Sequence, residues 1–198
     1  MQIYQHFYFA IYFTRRISMF YNQSVIPAIS NHNELRAFLD HHLTYGILMN
    51  FQLAQLPDLV NQMKEKNKKV LIHSELIKGL SSDEYGAIYL IQTLKVDGII
   101  TSKPKVIEIC KKRKVMGILR FFLKDSISLM QSLDVVQKTK PDYLEVLPAL
   151  TIDIIPEIRQ AVTCDILMGG LIRTKAQIEK CLEAGAIAVT TSNPKLWY

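Results

Sequence analysis

The chain has 198 residues, enough for one domain of ordinary size and too few for a multidomain machine. Hydrophobic residues make up 49% and charged residues 21% of it, which excludes an intrinsically disordered protein. The formal net charge of +6 permits an anionic partner without requiring one.

Residues 1–18 form an aromatic segment, MQIYQHFYFAIYFTRRIS. Its basic residues, Arg15 and Arg16, follow the apolar run, which is the reverse of the order in a secretory signal peptide. The chain also has no run of about 18 apolar residues, so we expect no membrane-spanning helix. We interpret residues 1–18 as an N-terminal extension, produced by an upstream start codon or serving as a partner-binding or interfacial arm. Residues 19–198 are expected to form a single domain.

From Ser24 onward, eight short apolar runs alternate with amphipathic stretches. The runs cover residues 24–29, 45–51, 69–76, 97–102, 115–123, 142–148, 164–170 and 186–192. Such continuous apolar runs are typical of strands that are covered on both faces. The intervening stretches cover residues 33–42, 56–66, 81–94, 104–114, 128–140, 151–162 and 174–184. Their apolar residues recur every three or four positions, as in amphipathic helices.

Eight βα units predict an α/β fold, a compact (β/α)8 TIM-like barrel. The alternative is a doubly wound open sheet. Such a sheet usually has a glycine-rich first turn, whereas the first turn here, SVIPAISNHNE, contains no glycine.

In a barrel of this kind, a phosphate is often held by the turns after strands seven and eight. Here the two turns contain two glycines and three hydroxyl residues: Gly169, Gly170, Thr190, Thr191 and Ser192. The glycines let backbone amides approach an anion, and residues 192–195 could begin a short helix whose N-terminus favours negative charge. The sequence therefore predicts a phosphate site, although a tight turn with a polar cap would use the same residue types.

Polar residues at the other strand ends should face the same mouth. They are Asn50, His73, Glu75, Ser102 or Lys103, Arg120 and Glu145. A buried arginine needs an acidic partner, and Glu145 in the next unit is the nearest candidate for Arg120. This pair could be a structural ion pair, could orient a ligand hydroxyl, or both. No motif supports turnover, so we expect neither catalytic residues nor a cofactor or metal.

Three cysteines, Cys110, Cys164 and Cys181, form no C-x-x-C pair. Neither a disulfide framework nor a zinc motif is expected from this pattern. The cysteine usage fits a reduced, cytoplasmic protein best.

Several segments carry a family resemblance: PAISN, SSDEYGA, DGIITSK, PDYLEVLPAL, MGGLIRT and GAIAVTTSNPKLW. Together they resemble the glycerol uptake operon antiterminator regulatory protein family, from Met19 to the C-terminus. The resemblance implies a non-catalytic TIM-barrel regulator that binds glycerol 3-phosphate and acts on the leader mRNA of glycerol-use genes, letting transcription pass a terminator. It assigns the phosphate to Gly169, Gly170, Thr191 and Ser192 and places Arg120 and Glu145 near the glycerol moiety.

Three residues depart from the family pattern. Family members tend to have an acidic residue where Asn50 stands, an aspartate at Glu75 and a glycine at Ala149. Because these positions line the expected mouth, the three changes bear on the identity and affinity of the ligand and not on the fold.

Basic residues gather just before the third, fifth and sixth strands. They are Lys64, Lys66, Lys68 and Lys69, then Lys111, Lys112, Arg113 and Lys114, then Lys138 and Lys140. In a barrel these segments share the N-terminal face, opposite the ligand mouth. The residues proposed to contact RNA phosphates are Lys68, Lys69, Lys111, Lys112, Arg113, Lys114 and Lys140. Alternatively, these side chains only complement helix dipoles, and the segments contain no aromatic residue for base stacking.

The leading hypothesis is thus a ligand-responsive, RNA-binding antiterminator in which glycerol 3-phosphate closes mouth loops or shifts a homo-oligomer. The alternative is a phospho-sugar or phospho-polyol enzyme, isomerase or aldolase-like, on the same barrel. A third reading is a metabolite sensor that binds a protein partner through the aromatic N-terminal arm.

Overall fold

The structure is a computed structural model that describes Phe20 and residues 23–198. The proposed extension, residues 1–18, lies outside the described residues. Eight parallel strands form a closed barrel in chain order. They are β1 (Val25–Ile29), β2 (Tyr45–Leu48), β3 (Lys69–His73), β4 (Gly98–Thr101), β5 (Met116–Phe122), β6 (Tyr143–Leu147), β7 (Asp165–Gly169) and β8 (Ala188–Thr191). Since β8 pairs with β1, the TIM-like barrel is confirmed and the open sheet is wrong.

Seven α-helices in the described chain cover the outside of the barrel. They are α1 (His32–Leu39), α2 (Leu56–Glu65), α3 (Glu84–Ile88), α4 (Pro104–Arg113), α5 (Ser126–Thr139), α6 (Ile155–Ala161) and α7 (Lys175–Glu183). A π-helical turn, Tyr89–Thr93, continues α3. Side-chain caps begin several of them: Asp83 accepts from the amides of Tyr85 and Gly86, and Thr174 forms a capping box with Gln177. None of these helices is long and apolar enough to cross a membrane.

The core has two layers, because each strand buries both faces. Outward residues such as Leu144 and Val146 pack under the helices, whereas Tyr143 belongs to the cluster inside the barrel. Phe20 fills the N-terminal end of the interior, with its ring centroid 4.9 Å from that of Tyr45. The period of two along β6 places Glu145 inside as well, one layer closer to the C-terminal mouth.

Candidate functional site

The C-terminal ends of the strands surround a pocket of about 180 Å³. The residues that line it include Gly170, Leu171 and Ile172 after β7, Thr190, Thr191 and Ser192 at the end of β8, and Arg120 from β5. Gly170, Thr191, Ser192 and Arg120, four of the predicted ligand residues, therefore meet in one place. The pocket is smaller than the roughly 300–1,000 Å³ typical of drug-sized ligands, so it suits a small molecule. A larger cleft of about 350 Å³ between the N-termini of α3 and α4 contains none of these four residues.

Gly169 lies beneath this pocket and makes room for a hydrogen bond. A Cβ atom at this position would lie 2.2 Å from Thr190 Oγ1 and 3.1 Å from Glu145 Oε1. Thr190 Oγ1 donates to that same carboxylate oxygen at 2.6 Å. The geometry therefore requires glycine for the packing of two side chains.

The turn after β7 has an unusual backbone. Gly170 has φ +75° and Leu171 has φ +59°, so two successive residues are left-handed, and the second carries a side chain. A non-glycine residue in this region is strained, and such strain is often found at binding sites. Within the described residues, no protein group accepts a hydrogen bond from the amides of Leu171 or Ile172. These two N–H groups of the pocket wall remain available to an anion.

The turn after β8 is held by its own hydrogen bonds. Thr191 Oγ1 accepts from the Asn193 amide at 3.2 Å, and the Trp197 indole donates to the Thr191 carbonyl at 3.1 Å. The helix expected from residues 192–195 is a single 3₁₀ turn, Pro194–Leu196. Its Lys195 amide already donates to Asn193 Oδ1 at 3.2 Å. This helix N-terminus therefore offers little to a phosphate, and the anion donors of this turn are its hydroxyl groups.

Arg120 and Glu145 form the predicted ion pair. They are directly opposite each other in the β5–β6 register, and Arg120 Nε donates to Glu145 Oε2 at 2.5 Å. The Glu145 side chain is fully buried, so both of its oxygens need partners; Thr190 supplies the second. A buried carboxylate thus fixes the guanidinium at the pocket wall.

His73 is the second partner of Arg120. Its Nε2 accepts a short hydrogen bond from Arg120 Nη1. Burial, followed by the charge of Arg120, lowers the pKa of His73 to about 4, against the opposing carboxylates of Glu75 and Glu145. His73 is therefore neutral at pH 7 and carries its proton on Nδ1. That atom lies 3.4 Å from Glu75 Oε2 and makes no hydrogen bond within the described chain.

Glu75 faces the β4 side of the mouth. Its Oε1 accepts from the Ser102 amide at 2.6 Å and from Thr101 Oγ1 at 2.8 Å. Burial alone would raise the pKa of Glu75, but these hydrogen bonds outweigh it and lower the pKa. Glu75 is thus held by the end of β4, contacts His73 without a hydrogen bond, and is not among the residues that line the pocket.

Asn50, another predicted ligand residue, does not line the pocket either. It is exposed, and its amide donates to the Leu76 carbonyl at 2.8 Å. Its φ of +64° lies in the left-handed region, which asparagine tolerates better than most residues. The preceding residue, Met49, lines the pocket instead. A backbone requirement accounts for the asparagine here.

The predicted basic rim lies at the N-terminal face, but Lys68 is not part of its exposed surface. The Lys68 side chain is buried; its ammonium donates to the carbonyls of His41 and Leu43 and lies 5.1 Å from the centroid of the Phe38 ring. Burial lowers the pKa of Lys68. This lysine therefore stabilises a turn, and the RNA-binding role that we expected for it is withdrawn.

The other predicted rim residues remain accessible. Lys69 is partly exposed and pairs with Asp97 at 2.9 Å. The side chains of Lys111, Lys112, Arg113, Lys114 and Lys140 are exposed. The sequence reasoning missed Lys95, another exposed lysine, which precedes β4 on the same face. It was missed because it stands outside the basic clusters.

The cysteines offer no reactive site. Burial raises the pKa of the Cys110 thiol to about 12 and those of Cys164 and Cys181 to about 11, so all three stay protonated at pH 7. Among the described residues, no three His, Cys, Asp or Glu side chains are grouped so that they could hold a metal ion.

Similar proteins were found in the curated sequences and in solved structures. The chain is 36% identical to the glycerol uptake operon antiterminator regulatory protein from Listeria monocytogenes, with a TM-score of 0.88, covering 90% of this chain and 97% of that one. A glycerol uptake operon antiterminator-related protein from Thermotoga maritima is 24% identical, with a TM-score of 0.78, covering 88% and 98%. The Escherichia coli uncharacterized protein YgcP is 24% identical, covering 87% of this chain and 91% of its own length.

More distant barrels resemble the chain in fold alone. The deoxyribose phosphate aldolase from Aeropyrum pernix is 11% identical, with a TM-score of 0.67, covering 88% of this chain and 87% of that one. The sequence profile of the glycerol-3-phosphate responsive antiterminators, in contrast, matches residues 25–197, which is nearly the whole described chain. The chain therefore belongs to the glycerol-3-phosphate responsive antiterminator family.

Proposed function

We propose that this protein binds glycerol 3-phosphate in the pocket at the mouth of the barrel and, in that state, binds the leader mRNA of glycerol-use genes so that transcription passes a terminator. The observation that carries the proposal is the meeting of Gly170, Thr191 and Ser192 with Arg120 around one small pocket. Family membership supplies the identity of the ligand and the kind of regulation.

The polar groups suit the two ends of a phosphorylated polyol. The phosphate would accept hydrogen bonds from the amides of Leu171 and Ile172 and from the hydroxyl of Ser192. Arg120 supplies the positive charge: of its five N–H donors, Glu145 and His73 use two, which leaves donors for the ligand. The pocket would thus bind the phosphate without moving the buried ion pair.

The same network argues for binding without turnover. Glu145 accepts from both Arg120 and Thr190, so it is held as a carboxylate hydrogen-bond acceptor. His73 donates no hydrogen bond within the described chain, and its Nε2 is occupied by Arg120. A general base needs a free acceptor atom, and both Glu145 oxygens and the Nε2 atom of His73 are already used by Arg120 and Thr190. This arrangement supports a receptor more than an enzyme.

Calorimetric titration of the purified protein with glycerol 3-phosphate tests the ligand, with glycerol and inorganic phosphate as controls. We expect saturable binding of glycerol 3-phosphate only, and an Arg120→Met variant should lose it. Incubation at high protein concentration, followed by NMR of the ligand, tests for turnover. Appearance of any product would favour a phospho-polyol enzyme on the same barrel.

A gel shift of labelled leader RNA at near-physiological salt then tests whether the ligand-bound protein binds RNA. We expect a shift with glycerol 3-phosphate and little without it, because only the ligand-bound population should bind the leader. Ligand binding without any RNA shift would contradict the antiterminator and favour a metabolite sensor with another partner.

A further inference from the structure

Four successive helices of this barrel end at a residue with left-handed backbone geometry. The residues are Asn67 (φ +56°), Lys95 (φ +53°), Lys114 (φ +56°) and Lys140 (φ +48°), at the ends of α2, the π-helical turn after α3, α4 and α5. Helix α7 ends in the same region with Gly185 (φ +107°). Glycine adopts this geometry freely and asparagine tolerates it, whereas the Cβ of lysine disfavours it.

The three lysines lie side by side on one face. Only one or two residues separate them from the starts of β4, β5 and β6, which are neighbours in the closed barrel, so all three belong to its N-terminal face. Packed helices are about 10 Å apart, so a line through the three lysines is about 20 Å long. We call these residues, Lys95, Lys114 and Lys140, the lysine arc.

The ammonium groups of the lysine arc are free for a partner. All three side chains are exposed, and none makes an ion pair or side-chain hydrogen bond within the described residues. Two other lysines of the same face are engaged. Lys64 donates to the Leu94 carbonyl at 2.7 Å, and Lys138 pairs with Asp134 at 2.5 Å.

The acidic groups near the lysine arc are also engaged. Asp97 binds Lys69 and the Val70 amide, and Asp142 accepts from the Gly117 amide at 2.8 Å. Asp165 lies 3.6 Å from Arg159. The positive charge of the arc is therefore not cancelled by a local carboxylate partner.

Helix-dipole complementation does not explain the lysines that follow α4 and α5. The last turn of α4 already contains three basic residues, Lys111, Lys112 and Arg113, and the last turn of α5 contains Lys138. Glycine or asparagine would end each helix at lower cost, as Gly185 and Asn67 do after α7 and α2. A residue that keeps unfavourable backbone geometry and an unpaired charge points to a function outside the fold.

We propose that the lysine arc binds successive phosphates of the leader RNA, on the face opposite the ligand pocket. This inference rests on the proposed function and specifies the surface that contacts the RNA. RNA fits because its backbone presents a row of negative charges to a row of unpaired cations. Lys111 and Lys112, exposed beside the arc, would add to the positive electrostatic potential that attracts the RNA.

The test replaces all three lysines of the arc with glycine. Lys95→Gly, Lys114→Gly and Lys140→Gly combined should weaken leader binding roughly 100-fold at physiological salt, because three phosphate contacts and their released counterions are lost. The slope of log K against log salt should become less steep by about 2 to 3. The melting temperature should not fall, since glycine removes the backbone strain, and calorimetric affinity for glycerol 3-phosphate should not change.

Asn67→Gly is the matched control, because it makes the same backbone change on the same face without removing a charge. It should leave both leader affinity and the salt slope unchanged. If the triple variant binds leader RNA as the unmodified protein does, the lysine arc is not the RNA surface, although the proposed function stands. If the triple variant melts at a markedly lower temperature with unchanged RNA binding, the lysines serve the helix dipoles. If the unmodified protein binds no leader RNA, both proposals fail.

Discussion

Alanine at position 169 should break the buried hydrogen bond between Thr190 and Glu145 at the base of the pocket. The added Cβ would stand 2.2 Å from Thr190 Oγ1, so the hydroxyl must leave Glu145 Oε1. Overpacking costs about 1–3 kcal/mol, and a lost hydrogen bond to a charged group costs about 1.5–3 kcal/mol. Replacing glycine by alanine also stabilises the folded protein by about 0.4–1 kcal/mol, because it lowers the conformational entropy of the unfolded chain. Gly169→Ala should therefore lower the free energy of unfolding by about 3 kcal/mol.

A double-mutant cycle separates the clash from other effects. Thr190→Ala removes the hydroxyl and should cost about 2 kcal/mol by itself. In that background the alanine at 169 meets the Cβ of residue 190 at an ordinary contact distance of 3.6 Å, and Glu145 Oε1, at 3.1 Å, must move by only a few tenths of an ångström. Adding Gly169→Ala to Thr190→Ala should then cost no more than about 1 kcal/mol, which gives a coupling energy of about 2 kcal/mol.

Urea unfolding of the four proteins measures these free energies. Thr190→Val is the control, because it removes the hydrogen bond but keeps an atom where the hydroxyl was. Gly169→Ala should remain costly in the Thr190→Val background. Additive effects of Gly169→Ala and Thr190→Ala, within about 0.5 kcal/mol, would refute the steric account of Gly169.

Three further changes probe the buried charges. Glu145→Gln should lower the free energy of unfolding by about 3 kcal/mol, because it leaves the Arg120 guanidinium without its carboxylate; urea unfolding showing less than half of this would mean that the pair is solvated. The folded-state pKa of His73, about 4, lies below its unfolded value of 6.5. The free energy of unfolding should therefore have its full value above pH 6.5 and should fall by up to about 3 kcal/mol as the pH is lowered toward 4. His73→Gln should flatten this decline in thermal melts across that range, and an unchanged pH profile would assign it to other groups. Lys68→Met should destabilise the protein by about 1–3 kcal/mol, since two carbonyls lose their buried donor, and reduced leader affinity in this variant would restore Lys68 to the RNA surface.

The barrel could be predicted because its strands are covered on both faces. Each strand is then a continuous apolar run in the sequence, and a charged residue within such a run indicates a side chain inside the barrel. Arg120 and Glu145 are such exceptions, and their pairing follows from the order of the strands, since neighbours in the chain are neighbours in the barrel. The ion pair could therefore be predicted without knowing any distance between the two side chains.

Other features depend on register or backbone angles that residue types do not reveal. Gly169 is needed because Thr190 lies opposite it in the β7–β8 register, which a sequence cannot specify. The burial of Lys68 depends on where the chain after α1 passes, and Lys68 and Lys69 look alike in the sequence. Left-handed helix ends are recognised from glycine, as at Gly185, so the lysine at position 114 gives no such signal.

Strands β5 and β6 connect the two proposed sites directly. Lys114 and Lys140 stand just before these strands, and Arg120 and Glu145 lie near their other ends. If glycerol 3-phosphate raises leader affinity by some factor, linkage requires the leader to raise glycerol 3-phosphate affinity by the same factor. Calorimetry with and without leader RNA, at an RNA concentration that saturates the unmodified protein but not the triple glycine variant, measures that factor. The apparent factor should fall toward one in the triple variant, while its affinity for glycerol 3-phosphate without RNA stays the same. Equal affinities with and without RNA in the unmodified protein would mean that the two sites are filled independently, and a regulator whose sites are independent cannot respond to its ligand.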